Sequence, residues 1–368
     1  MRGGRVGMTE ACDRHLARAW LLDRLSGNLD LVRARIDELL ALDDLELIEA
    51  VGGDAAPRLR AALHGFDAER ARAAADQGGI EAICQCDPAF PPGLRALPSA
   101  PGVLYVAGGL ERCLELLREQ PVAVVGARRA SQYGLEVARS LGRGVACSGV
   151  TVISGMAAGI DSAAHEGALS VRGPTIAVMP SAANRPYPAA KRSLHRRLVE
   201  LGAAVSELPP GAEIRRWMFP ARNRLIAALS AMTVVVEARH RSGALVTARH
   251  AAALGRRVGA VPGRITSPQS GGPNGLLAVG AAVVRDAQDV LDALFGAGVR
   301  RAGAAPRAEL EPEQERLLDA VASGHDTMDA LARAGIEPAA ALVALAALEI
   351  GGHIRREPGG RFGVQPGV

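Results

Sequence analysis

The chain has 368 residues, 48% of them apolar and 22% charged, with a formal net charge of +4. At roughly 100 to 200 residues per domain that length predicts two or three domains, and so small a charge excludes a uniformly polycationic surface. No apolar run of about 18 residues can span a bilayer, and "MRGGRVGMTEACDRHLARAW" lacks the apolar centre of a secretory signal, so no membrane partner and a cytoplasmic location are expected.

Residues 11–80 are rich in Ala, Leu, Arg and Asp, with apolar spacings of three and four as in "LVRARIDELLALDDLELIEAV". This predicts a small helical N-terminal domain over residues 1–83. Of the five cysteines, Cys84 and Cys86 stand one residue apart, tighter than the C-x-x-C grip of zinc. Buried thiols and no metal are the expectation. Proline punctuates "CDPAFPPGLRALPSAPGVLYVAGG", which predicts a linker and lead-in over residues 84–117 that contains a short strand at 103–106.

From Val122 the pattern changes to strand alternating with helix. The runs "VAVVG" (122–126), "TVISG" (151–155), "TIAVMP" (175–180), "AAVSEL" (203–208), "TVVVEA" (233–238), "RVGAVPG" (257–263) and "AAVV" (281–284) are separated by helical spans such as "YGLEVARSLGRGVA". Each parallel crossover needs a helix, so the fold class is α/β, a Rossmann-like doubly wound, mostly parallel sheet over residues 118–297. Ligands of such sheets collect beyond the carboxyl ends of the strands. There the sequence places Gly126, Arg128, Arg129 and Ser131 after the first run and "SGMAAGID" after the second, with Ser154, Gly155 and Gly159. Glu237, Ser242 and Gly243 follow the fifth. Gly- or Ser-bearing loops that feed helix N-termini favour anions, although the same residues can simply turn the chain and cap a helix.

Between Arg185 and Arg224, nine basic residues (Arg185, Lys191, Arg192, Arg196, Arg197, Arg215, Arg216, Arg222, Arg224) face three acids, Glu200, Glu207 and Glu213. Lys191 is the only lysine in the chain. Tyr187, Trp217 and Phe219 fall in the same segment although aromatics are 3% of the whole. Bases of single-stranded DNA stack on such rings while arginines follow the backbone; a core Trp and Phe are the alternative.

Residues 298–311 read as a Pro/Ala linker, and residues 312–368 outline three helices and a hairpin turned at "EPGG", a winged-helix-like C-terminal domain. Its third helix, residues 338–349, has no Arg or Lys for a DNA groove, so a protein-contact or structural role is expected.

Several chemistries are missing. "GARRASQYG" is no G-x-G-x-x-G, no G-x-x-x-x-G-K-[ST] exists, Ser154 lacks the G-x-S-x-G elbow, and no His pair with a glutamate suggests zinc. His165, on a helix after "GIDSAA", could be catalytic or a core residue. What is left binds phosphates without obvious bond chemistry, and no cofactor is expected.

The ordered motifs "CDPAFPPGLRAL", "PGVLYVAGGL", "VAVVGARRASQYG", "VISGMAAGIDSAAHEGAL", "YPAAKRSL", "FPARNRLIAALS", "VVVEARHRSGALVTARHAAALGRRVGAVPG" and "GPNGLLAVGA" resemble the DNA-processing protein A (DprA, or Smf) family over roughly residues 84–294. The resemblance implies a non-enzymatic protein that binds single-stranded DNA, protects incoming DNA, acts as a homodimer and loads the RecA recombinase in natural transformation and recombination. By position it puts Arg128 on a phosphate, with Ser154, Gly155 and Gly159 in an adjoining anion pocket bordered by Arg222, Asn223, Arg224, Ser242 and Gly243. With it goes the expectation that Arg128, Lys191, Arg222 and Arg224 hold the backbone and that a base stacks on Tyr187 or Phe219. The chain departs from the family at Ala158 and Ala189, where a basic residue is usual, and at "PSAANRP". A rival class, the Rossmann-like nucleotide phosphoribohydrolases, would use Glu237 as an acid, but their P-G-G-x-G-T-x-x-E loop is absent.

Overall fold

The run Val122–Val125 is buried at every residue, and in the computed structural model it forms an interior strand of a nine-stranded sheet. The structure describes residues 11–302, 310–350, 353–357 and 359–364, which fall into two compact units divided between residues 302 and 303. In chain order the strands of the first unit are β1 (Ile80–Cys84), β2 (Val103–Ala107), β3 (Val122–Val125), β4 (Val152–Ser154), β5 (Thr175–Val178), β6 (Ala203–Ser206), β7 (Met232–Val235), β8 (Arg257–Ala260) and β9 (Ala282–Val283). They lie in the order β1-β2-β6-β5-β4-β3-β7-β8-β9. Only β1–β2 and β2–β6 are antiparallel. The Rossmann-like, mostly parallel α/β sheet expected from the alternation is the sheet found.

Both faces of the sheet are covered, which is why its strands read as unbroken apolar runs. Alternation along β3 divides them: Val122 and Val124 pack with Val137, Leu141 and Val145 of the helix Gln132–Cys147. Ala123 and Val125 pack on the other face with Leu225 and Ile226 of the helix Met218–Ala228. From β3 the chain adds β4, β5 and β6 on one side, then crosses back to place β7, β8 and β9 on the other. The order therefore reverses between β3 and β7, where a doubly wound sheet leaves a crevice.

The expected boundaries at 83/84 and 117/118 fall inside this first unit. Ile80–Cys84, unassigned in the sequence, is an edge strand paired with β2. Leu21, Leu25, Leu29, Leu47 and Ile48 of the helical N-terminal residues share a core with Trp217, Met218 and Ala221. Trp217 is fixed there: its backbone N–H donates to the Asp30 carboxylate at 2.9 Å and its indole N–H to Ser26 Oγ at 3.1 Å. This aromatic of the basic segment is a core residue, not a stacking platform.

The second unit has helices Pro312–Ala322, Met328–Arg333 and Pro338–Ile350 and an antiparallel pair, β10 (Ile354–Glu357) with β11 (Arg361–Val364). Leu317, Val321, Leu331, Leu345, Leu348 and Phe362 form its core. This is the expected winged-helix order; Pro358 of the turn and residues 303–309 of the expected linker lie outside the described residues. Leu342 and Val343 of the third helix are 55% and 73% exposed. No helix among the described residues is long and apolar enough to cross a membrane.

Candidate functional site

At the C-terminal edge of β3 and β7 lies a cleft of about 290 Å³. Gly126 and Arg128 reach it from the loop after β3, Asp161 from the start of the helix Ile160–Ser170, Phe219, Arg222 and Asn223 from the helix Met218–Ala228, and Ser242 and Gly243 from the start of Gly243–Ala253. Sequence-distant motifs meet here because each strand of a parallel sheet ends at this edge. A larger cleft of about 640 Å³ is lined by Pro121, Ala231 and Arg256, the residues immediately before β3, β7 and β8. It opens at the N-terminal ends of the strands, the edge such sheets do not use for ligands.

Arg128 is exposed and has no ion pair among the described residues. Its guanidinium carbon stands 4.7 Å from the centroid of the Phe219 ring, and that ring lies 5.4 Å from Tyr187 at a 55° tilt. An aromatic face steers the guanidinium through its quadrupole while leaving the N–H donors unused. A carboxylate would have consumed them. Arg129 is exposed beside it, also without an ion pair among the described residues.

Other expected ligands are occupied internally. Arg222 is 5% exposed; its Nη1 donates to the carbonyls of Gly155 at 2.7 Å and Val178 at 2.5 Å. Burial pushes its pKa down to about 10, opposed by Asp161 and assisted by Arg128, so it stays charged at neutral pH. A Cβ on Gly155 would overlap that guanidinium. Gly159, at φ +84°, lets the loop after β4 press against the loop after β3, since a Cβ there would overlap the Ala127 carbonyl. Ser154 is wholly buried and its hydroxyl donates to the Val124 carbonyl at 2.6 Å. The expected anion pocket around Ser154, Gly155 and Gly159 is thus corrected: these residues are dictated by close packing, and the Gly155 N–H donates to Asp161 Oδ2 at 3.1 Å. Burial raises the Asp161 pKa, against the pull of Arg222 and of the Gly126, Gly155 and Ala157 N–H groups. Sequence reasoning missed this buried carboxyl; an acid in the first turn of a helix after a glycine loop was its only signal.

Arg224 is likewise withdrawn from the expected backbone contacts. It is 2% exposed, donating to Glu207 Oε2 at 2.6 Å and to Ser99 Oγ at 3.0 Å. Lys191 does not line the cleft and pairs with Glu166 at 3.1 Å, which also meets Arg139 at 3.4 Å. Ser131 caps the helix Gln132–Cys147 and is itself locked: its N–H and Oγ–H donate to the two oxygens of Glu237 at 2.8 and 2.6 Å. Glu237 is buried in this role, so the acid of the rival reading is already engaged. His165 is a core residue, hydrogen-bonded to Thr175 Oγ1 at 2.7 Å, its pKa pushed down to about 3 by burial.

Asn223 Nδ2 donates to the Gly243 carbonyl at 3.3 Å, and Ser242 Oγ caps its helix by accepting from the Ala244 N–H at 3.3 Å. The cleft thereby presents a free cation on an aromatic wall, with small polar residues opposite. Among the described residues it holds no metal-ligating cluster. Such an arrangement can hold an anion beside a flat apolar ring.

The family model described as DNA recombination-mediator protein A matches residues 81–295, and that of the DprA winged helix domain matches residues 301–360. The chain is 41% identical over 268 residues to the putative DNA processing protein DprA of Mycobacterium tuberculosis H37Rv, covering 71% of this chain and 68% of that protein. To protein Smf of Escherichia coli K12 it is 38% identical over 281 residues, 74% of each. Its fold resembles the X-ray structure of DprA from Streptococcus pneumoniae, with a TM-score of 0.61 and 29% identity over 78% of this chain and 99% of that one. Helicobacter pylori DprA, described as having a unique single-stranded DNA binding mode, gives a TM-score of 0.52 and 28% identity over 58% of this chain and 95% of that one.

Proposed function

The chain belongs to the DNA recombination-mediator protein A (DprA/Smf) family, and on that premise we propose that it binds single-stranded DNA at the β3–β7 cleft without breaking a covalent bond. The observation that carries this reading is the Arg128–Phe219–Tyr187 stack, a guanidinium with unused donors on an aromatic face at the switch-point edge. In this reading Arg128 anchors a phosphate, Arg129 adds a second positive charge, and Asn223, Ser242 and Gly243 border the strand. The half-buried rings of Phe219 and Tyr187 offer a face to an unpaired base, which a duplex would keep stacked. Arg222 contributes field from within rather than a direct contact.

The family likeness further supports a cytoplasmic homodimer that shields the strand and delivers it to RecA. The exposed Leu342 and Val343, on a helix with no basic residue, fit a protein-contact role for the winged helix. Titration of labelled single- and double-stranded oligonucleotides at two salt concentrations tests the binding. The expected result is preferential single-strand retention that weakens with salt; equal retention of both forms, or none at low salt, would remove the proposal. Release of free base from nucleoside monophosphates is expected to be absent.

A further inference from the structure

Three of the five cysteines and one histidine, distant in sequence, converge at the antiparallel edge of the sheet, away from the cleft. Cys12 immediately precedes the helix Asp13–Arg24, His15 lies in its first turn, Cys84 ends β1, and Cys86 follows two residues later. Their ligand atoms all lie within 4.8 Å of one another. Cys12 Sγ is 3.3 Å from His15 Nδ1 and 3.8 Å from Cys86 Sγ, and Cys86 Sγ is 3.8 Å from the same nitrogen.

Those three separations are close to the edges of a coordination tetrahedron, and Cys84 Sγ lies within 4.8 Å of each of the other ligand atoms. Zinc–sulfur bonds of about 2.3 Å and zinc–nitrogen bonds of about 2.0–2.1 Å put tetrahedral ligands roughly 3.5–3.8 Å apart. Ordinary core packing would account for the buried Cys84, but not for the exposed Cys86 and a ring nitrogen turned toward the same point. The expectation of buried thiols holds at Cys84 and Cys113 but not at the exposed Cys86 or the half-buried Cys12 and Cys147; the pair one residue apart supplies only half of the cluster, and the N-terminal helix region supplies the rest. Supporting contacts fit as well. The Cys12 N–H donates to Cys84 Sγ at 3.4 Å, and Gly102 leaves room for the imidazole, since a Cβ there would stand 3.2 Å from His15 Cδ2.

We infer that Cys12, His15, Cys84 and Cys86 bind one zinc ion in a closed four-coordinate site that clamps the N-terminal helix to the edge strand. Three thiolates and an imidazole suit zinc and disfavour magnesium or calcium, and four protein ligands leave no position open for catalysis. Binding releases one proton from each of the three thiols to solvent, while His15 ligates as neutral imidazole through Nδ1. The site is structural.

Full-length protein purified without chelator is expected to carry about one zinc per chain by elemental mass spectrometry. Cobalt(II) in place of zinc is expected to give the strong visible bands of a tetrahedral site and near-ultraviolet thiolate charge transfer. Cys12→Ser and Cys86→Ser should lose both signals, whereas Cys147→Ser, outside the cluster, keeps them. Folded wild-type protein that stays metal-free after incubation with zinc, an octahedral cobalt spectrum, or undiminished zinc in both serine variants would overturn the site. The cobalt spectrum of the wild type does not depend on whether a variant folds.

Discussion

Arg128 and Arg224 carry the same charge to opposite ends. Arg224, 2% exposed, satisfies the buried Glu207 carboxylate at 2.6 Å, so removing it leaves an uncompensated charge inside the protein. Arg224→Met is expected to destabilise the first unit by about 3–5 kcal/mol, read from the midpoint of urea unfolding. An unchanged midpoint would show that the pair is solvated. Arg128 was legible in the sequence because it follows a strand directly, and the position alone puts it at the ligand edge. The basic run from Arg185 to Arg224 was a poorer guide. A charge count does not say which side chains turn inward, and in "FPARNR" both arginines are buried on different sides of the helix, Arg222 against the carbonyls of Gly155 and Val178 and Arg224 against Glu207, just after β6.

At the scale of the element, the glycine loops do different work from that expected. Gly159 holds φ +84° with the Ala127 carbonyl where a Cβ would sit, so neither backbone nor space admits a larger residue. Gly159→Ala should cost about 1–3 kcal/mol with an unchanged denaturant slope, and a wild-type midpoint would refute the close approach. The seven strand runs from Val122 onward all appear as β3 to β9; for β3 to β7, buried at every residue, two covered faces leave a signal that needs no tertiary knowledge. β1 escaped notice. Its Glu81 interrupts the apolar pattern and is used locally, accepting the Leu110 N–H at 2.6 Å, and pairing on one side only gives an edge strand a weaker signature.

Across the whole molecule, the helical N-terminal residues and the sheet share cores, a union that composition hid because the two parts differ in secondary structure. Buried and half-buried histidines make the first unit sensitive to acid. Burial lowers the pKa of His165 from 6.5 to about 3, and those of His195 and His250 in the same direction. An unfolded chain takes up these protons first, so stability is full above about pH 6.5 and declines as pH falls toward the folded values. The raised pKa of Asp161 works against this trend. Melting temperatures across this range should fall with acidification; a flat or rising profile would contradict the burial of neutral imidazoles. The central claim is that an unpaired strand is gripped at the β3–β7 cleft through Arg128, and the most direct measurement is single-strand affinity of wild type and Arg128→Ala over a salt series. The account predicts weaker binding for every oligonucleotide sequence and a log–log salt slope shallower by about 0.7, one phosphate's worth. Unchanged affinity with an unchanged slope would contradict it.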